Sequence, residues 1–283
     1  MSRTSVIIVS WNVCEQLENC LNSLRQAQPL EIIVVDNNSS DGSAEMVQSI
    51  FPTVKLMKMS TNLGFAKAVN IGVAEARGEF YLLLNPDASI TPTAIVSAEN
   101  YYEQNNKVGI VGGKLLDDRG GIQPSVRKLP SVWSQFAVLT KIPYLVPPVL
   151  DSYLMKNFNY NMPGPVEQVS GALFFIRRQL WERIGKFDEG FWLWFEEVDY
   201  CARALKAGWQ VYYLPESSAY HIGGSSFRQL SHTARQKQFN KSLLHYFDKH
   251  GQWYEVLVLR LAGSIGLFQA KILDLSERIM HGK

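Results

Sequence analysis

Short β-branched runs alternating with longer helical patterns constrain this chain more than any other feature. Thr4 to Val9 (TSVIIV), Leu30 to Val35 (LEIIVV), Val54 to Met59, Glu79 to Leu84 and Val108 to Val111 read as strands. Between them, Leu17, Leu21 and Leu24 share one face of a helix predicted over 15–24. Asp41 caps a second helix that Pro52 stops, 65–76 forms a third, and Thr91-Pro92 opens a fourth. This β-α-β-α order predicts an α/β fold with a mainly parallel central sheet flanked by helices on both faces. Ligands of such sheets bind beyond the carboxyl ends of the strands. Three polar clusters fall there, and therefore on one rim: Ser10-Trp11-Asn12, Asp36-Asn37-Asn38 and Asn85-Pro86-Asp87.

Regularity weakens in the middle. Residues 129–165 carry six prolines and read as a helix followed by a long irregular segment. Val169 to Ile176 reads as one strand, with a short helix from Gln179. From Glu196 the pattern is helical, with Val198, Cys201, Ala202 and Leu205 in one stripe and Gly208 placed to end it. Trp209 to Leu214 is a strand that Pro215 ends, His221-Ile-Gly-Gly follows in a loop, and the remainder is helical with a junction near Gly251.

The bulk numbers exclude several classes. With 283 residues, 46% apolar and 19% charged, the chain is an ordinary globular one. A net charge of +2 argues against a dedicated nucleic-acid binder. Cys14, Cys20 and Cys201 have neither metal-type spacing nor a disulfide framework, which fits a reducing, cytoplasmic compartment. No charged and apolar leader precedes the first strand, so no signal peptide is expected. Charge is uneven, however: residues 226–283 hold nine Lys/Arg against four Asp/Glu. The apolar stretch 256–268 is interrupted by Arg260 and is shorter than the ~18 residues of a spanning helix. We therefore expect a basic amphipathic tail, with Arg235, Lys237, Lys241, Arg260, Lys271 and Arg278 facing anionic headgroups on the inner face of a membrane, or else a homodimer contact.

Each polar cluster admits two readings. Asp36 either accepts hydrogen bonds from a base or ribose or begins a plain αβ turn. Asn85-Pro86-Asp87 suits a hard divalent cation, since Mg²⁺ and Mn²⁺ take one or two carboxylates and complete their shell with phosphate oxygens. It equally suits a β-turn. Glu196-Glu197 supplies a general base, because paired carboxylates beside Phe191, Trp192, Trp194 and Phe195 hold each other's pKa up. It also suits a helix N-terminus that favours acidic residues. His221 is a metal or phosphate contact, or a surface histidine. Trp11, Trp192 and Trp194 stack on a sugar or base, or fill a core.

The order of these motifs resembles that of the inverting family 2 glycosyltransferases of the GT-A fold. The resemblance is carried by SVIIVSWN (5–12), EIIVVDNNSSDGS (31–43), NLGFAKAVNIG (62–72), GEFYLLLNPDA (78–88), VSGALFFIRR (169–178), FEEVDYCARALKAGW (195–209) and HIGG (221–224). Within that family the chain looks most like the rhamnosyltransferase branch of bacterial surface polysaccharide synthesis. The resemblance implies a catalytic domain over 1–225 and a helical extension over 226–283. It implies a sugar moved from a dTDP- or UDP-linked donor to a hydroxyl of a lipid-linked or saccharide acceptor, with Mg²⁺ or Mn²⁺. Ser10, Asn12, Asp36, Asn38, Asn62, Gly64, Asn85 and Asp87 would hold the nucleotide sugar. Asp87 and His221 would hold the metal, with Asn85 in place of the first Asp of the family's DxD motif. Gly171, Trp192 and Trp194 would meet the acceptor. Glu197 would be the base, with Glu196 and Asp199 as alternatives.

Three rivals are weaker. A dehydrogenase needs a G-x-G-x-x-G turn that neither SWN nor DNN supplies. A sugar-phosphate nucleotidyltransferase would want a glycine- and lysine/arginine-rich loop where WNVCEQ stands. A catalytically inactive sugar- or lipid-binding module would not require Asp87, Glu197 and His221 together.

Overall fold

The structure is a computed structural model that describes residues 2–224 and 229–280, the last three without their side chains. The expected 225/226 domain boundary and the Arg278 side chain thus lie outside the described residues. The first half runs β1 (Thr4–Ser10), α1 (Cys14–Ala27), β2 (Glu31–Asp36), α2 (Ser43–Ile50), β3 (Lys55–Lys58), α3 (Phe65–Ala74), β4 (Phe80–Leu84), β5 (Ala88–Ile90), α4 (Ala94–Gln104) and β6 (Val108–Leu116). Two short strands, β7 (Ile122–Gln123) and β8 (Val126–Arg127), lead to α5 (Val132–Thr140) and two 3-10 turns, Ile142–Tyr144 and Pro147–Leu150. Then follow β9 (Gly164–Val166), β10 (Gln168–Val169), β11 (Leu173–Arg177), α6 (Arg178–Ile184), α7 (Glu196–Lys206), β12 (Gln210–His221), α8 (His232–His250) and α9 (Trp253–Met280).

The main sheet has the order β3-β2-β1-β4-β11-β6-β12-β5. Neighbours β3-β2-β1-β4 and β6-β12 are parallel, whereas β11 runs antiparallel between β4 and β6. The period-2 alternation of a strand divides β1 cleanly. Val6 and Ile8 pack with Leu17, Leu21 and Leu24 of α1, while Ile7 and Val9 pack with Ala66, Val69 and Val73 of α3. The expected α/β sheet with helices on both faces is what the chain forms.

Three expectations are corrected. Residues 169–176 are not one strand: the chain leaves β10 at Val169 and re-enters the main sheet at Leu173, so Gly171 sits in the break. Pro215 does not end β12, because a register shift between Leu214 and Ser218 accommodates it, and His221 is the last residue of a twelve-residue strand rather than part of a loop. In the tail, the Trp253–Glu277 stretch of α9 contains an 18-residue window of mean hydropathy 1.6 and is long and apolar enough to cross a membrane by length and composition alone.

The tail helices are part of the body. Leu243, Tyr246 and Phe247 of α8 and Leu259 and Ala262 of α9 share a buried cluster with Phe191, Phe195 and Val198. Lys249 on α8 ion-pairs with Asp188 at 2.9 Å and Asp199 at 2.8 Å.

Candidate active site

The parallel register sets Ser10 beside Asp36 at the carboxyl end of β1 and β2. Asp36 is buried; its Oδ2 accepts from the Ser39 amide at 3.1 Å, while its Oδ1 and the buried Ser10 Oγ have no hydrogen-bond partner. The next residue, Asn37, donates to Asn62 Oδ1 and the Gly64 carbonyl and accepts from the Leu63 amide. Gly64 has φ +82°, and a Cβ there would stand 2.5 Å from the Trp192 ring. Only glycine therefore lets the α3 entrance seat Trp192. Asn37, Asn62, Gly64 and Trp192, with Val9, Trp11, Asn85, Pro86 and Asp87, line a first cleft of about 650 Å³ counted to its open mouth.

The polar triplet after β4 is built by a strand too short to read from sequence. Three-residue β5 pairs antiparallel with β12, placing Ala88 opposite His221. His221 Nε2 thereby comes to 3.3 Å from Asp87 Oδ1 and 3.4 Å from Asn85 Nδ2. Gln123 holds the imidazole: its Oε1 lies 3.1 Å from His221 Nδ1, and its Nε2 donates to the His221 carbonyl at 2.6 Å. A proton on Nδ1 satisfies that contact and leaves the Nε2 lone pair facing Asp87. Two ligands cis on one octahedral Mg²⁺ or Mn²⁺ stand about 3 Å apart at bond lengths of about 2.1 Å. The Asp87–His221 pair fits that spacing. The one three-residue set with metal-ligand spacing among the described residues is elsewhere: His232, Asp274 and Glu277. There Asp274 accepts from the His232 and Thr233 amides at the start of α8.

The aromatic segment before α7 separates this cleft from a second. Trp192 and Leu193 line the first; Trp194 and Phe195 line the second, of about 1170 Å³. Trp194 and Phe195 have φ of 65° and 71°, a left-handed pair that bulky residues seldom adopt and that costs about 1–3 kcal/mol each. Helix α8 pins the segment, since Ser242 Oγ donates to the Leu193 carbonyl at 2.6 Å.

The three acidic residues of the first turn of α7 have different surroundings. Glu196 is buried and lines neither cleft; burial and the neighbouring Glu197 charge hold its carboxyl well above the usual range. Glu197 lines the second cleft, with Oε2 unpartnered. Burial raises its pKa, against the opposing pull of backbone amides and the Arg127 guanidinium. Asp199 is fully buried, in contact with Arg203 at 2.8 Å, Lys249 at 2.8 Å and His250 at 2.7 Å. Burial alone would raise its pKa, but the His250, Lys249 and Arg203 contacts outweigh it and lower it. Of the three candidates for the base, only Glu197 lines either cleft, and Asp199 is held in an ion-pair cluster.

Of the residues expected to meet a nucleotide sugar, Asn62, Gly64, Asn85 and Asp87 line the first cleft. Ser10, Asn12 and Asp36 surround the strand ends behind it. Asn12 is tied to the β2–α2 loop, its Oδ1 accepting from the Ser40 amide at 2.8 Å. Asn38 is exposed with φ 68°, and its neighbour Asn37 is the cleft residue. Trp192 was expected on the acceptor side and stands in the first cleft. Gly171 abuts Glu197, a Cβ there standing 3.7 Å from the Glu197 Cγ. Sequence reasoning missed Asn37, Gln123, Arg127 and Gln168. For Asn37, the adjacent DNN was the available signal; Gln123 had none, its partner lying 98 residues away.

A GT-A-type sheet carrying a strand-end aspartate cleft beside a buried carboxylate defines a glycosyltransferase. The model of glycosyl transferase family 2 matches residues 5–185, and the chain belongs to that family. It is 28% identical over 280 residues to the N-acetylglucosaminyl-diphospho-decaprenol L-rhamnosyltransferase of Mycobacterium tuberculosis, covering 93% of this chain and 90% of the relative. A low-salt glycan biosynthesis hexosyltransferase of Haloferax volcanii is 25% identical, over 71% of this chain and 61% of its own length. Among solved structures, the Pyrobaculum calidifontis mannosyltransferase PcManGT, in complex with GDP-Man and Mn²⁺, aligns at TM-score 0.59 and 18% identity over 99% of this chain and 76% of that one. S. aureus TarS aligns at TM-score 0.55 and 17% identity over 88% and 72%.

Proposed function

We propose that the enzyme transfers a sugar, rhamnose, from a dTDP- or UDP-linked donor to a hydroxyl of a lipid-linked saccharide in surface polysaccharide assembly, with inversion at the anomeric carbon. The observation that carries this reading is the position of Glu197. Its carboxylate lines the second cleft with Oε2 unpartnered, and the segment just before it walls the first.

The donor occupies the first cleft. Asp36 Oδ1 accepts from the nucleoside, and Trp11 or Trp192 stacks on a ring. Asp87 and His221, with Gln123 setting the tautomer, would hold Mg²⁺ or Mn²⁺, which when bound supplies positive charge to the leaving diphosphate. The acceptor occupies the second cleft. Glu197 removes the proton of its hydroxyl as that oxygen attacks the anomeric carbon, and a raised pKa suits a base that must hold and release a proton near neutral pH. The M. tuberculosis relative supports the choice of rhamnose and of a diphosphate-linked lipid. The exposed apolar side of α9 supports action at a membrane surface, on the cytoplasmic side where nucleotide sugars are available.

The test is incubation with dTDP-rhamnose, N-acetylglucosaminyl-diphospho-polyprenol and Mn²⁺, with products separated by chromatography. Free dTDP and a rhamnosylated lipid support the reading. Formation of dTTP and rhamnose 1-phosphate when pyrophosphate replaces the lipid would identify a nucleotidyltransferase, and binding without turnover an inactive module.

A further inference from the structure

The second cleft does not end at the catalytic body. Val138, Trp194 and Phe239 line both it and a third cleft of about 740 Å³ between α5, α8 and α9. The two clefts therefore adjoin, with these three side chains between Glu197 and the groove of the tail helices. Close approach of α9 keeps the outer part narrow: at Gly266 a Cβ would stand 3.1 Å from the Leu139 carbonyl of α5.

The two clefts differ in character. Near Glu197 the lining carries acceptor atoms beside the Arg127 guanidinium. Gln168 is 5% exposed, and its Oε1 lines this end without a partner, as does Glu197 Oε2. Buried polar atoms of this kind call for a donor, and sugar hydroxyls supply it. Further out, Gln269 Oε1 is likewise unpartnered, and Lys141, Arg235 and His232 line the wall. His232 is engaged by Glu277 at 2.9 Å and lies against Asp274. Lys141 and Arg235 form no carboxylate ion pair among the described residues, Arg235 donating only to His232 Nδ1 at 3.2 Å. Among the described residues no carboxylate lines this outer part. Leu273 at the rim is 50% exposed.

We propose that these adjoining clefts bind a diphosphate-linked lipid saccharide. The sugar lies between Gln168 and Glu197, the diphosphate between Lys141 and Arg235, and the lipid chain leaves past Leu273. The change from a lining with unpartnered acceptor atoms to one with cations and no carboxylate matches the step from saccharide to diphosphate. The inference rests on the proposed reading of the chain as a transferase to a lipid-linked acceptor, and adds where that acceptor's linkage is recognised.

The test compares two acceptors with the same sugar: short-chain N-acetylglucosaminyl-diphospho-polyprenol and octyl β-N-acetylglucosaminide, which lacks phosphate. Wild type, Lys141→Ala and Arg235→Ala are assayed with dTDP-rhamnose, and thermal unfolding checks that each is folded. Loss of one charge-assisted contact should lower the ratio of kcat/KM for the diphosphate acceptor to that for the glycoside about tenfold or more in each variant. An unchanged ratio, whether both activities fall or neither does, overturns the inference while leaving the proposed function standing. Wild type that uses only the glycoside also overturns it. Wild type that transfers to neither acceptor contradicts the proposed function itself.

Discussion

His221 Nε2 stands 3.3 Å from Asp87 Oδ1, although 134 positions separate the two in the chain, because the short β5 pairs with the far end of β12. Gln123 fixes the imidazole from the other side through Nδ1. If the pair holds a divalent cation, Asp87→Asn should abolish stimulation of turnover by Mn²⁺. Gln123→Ala touches neither ligand atom, yet should weaken Mn²⁺ activation about 10–100-fold by releasing the tautomer. A Mn²⁺ titration of initial rates checks both. Unaltered half-saturation in Gln123→Ala would show that the imidazole does not act on a metal.

Glu196 makes a separable prediction. Its folded pKa lies above the ordinary 4.5, so proton binding favours the folded state. That contribution is complete below about pH 4.5 and is lost as pH rises through the folded pKa. Above that range the buried carboxylate destabilises the fold. Glu196→Gln, which cannot ionise, should therefore gain stability over wild type as pH rises from 5 to 8. It should retain turnover. Thermal unfolding across that pH range checks the first statement and steady-state kinetics the second.

Asp199 should matter for stability rather than chemistry. Replacing it with Ala strands Arg203, Lys249 and His250 around a buried site and unties α8 from α7. A cost of about 3 kcal/mol is expected, since removing one member of a buried ion pair leaves uncompensated charge. Urea unfolding should show the loss, and donor affinity in the surviving folded protein should be near normal.

These three carboxylates also show what was legible in the sequence. The sheet was readable because β1, β2 and β4 are buried on both faces, so their apolar runs are unbroken. The rim clusters followed from parallel topology alone. What separates Glu196, Glu197 and Asp199 is not local. Helical spacing puts all three in one turn, and only the packing of α8, fifty residues later, claims Asp199. The paired left-handed φ at Trp194 and Phe195, which turns Trp192 to one cleft and Trp194 to the other, has no residue-type signal. Likewise β12 passes Pro215 only because a bulge absorbs it, and a bulge leaves no local mark.

Helix α9 presents Leu257, Leu261, Ile265, Phe268, Ile272 and Leu275 to solvent, with Arg260 and Lys271 also exposed. A surface of this kind should carry the protein onto anionic vesicles, each basic residue near the headgroups adding about 1 kcal/mol at low salt. Flotation should show vesicle binding that weakens at high salt. Leu261→Ser with Phe268→Ser should weaken it at both. Full-length protein that stays unbound at low salt would favour the dimer contact instead.

The central claim is that Glu197 deprotonates the acceptor, and its most direct test is Glu197→Gln. The account predicts that kcat falls about 10²–10⁴-fold. Because a base acts in the transition state, kcat/KM should fall with it, while the donor Kd measured by calorimetry with Mn²⁺ is unchanged. Glu197→Gln with near-normal kcat, or Glu196→Gln as the more damaging change, would contradict the account.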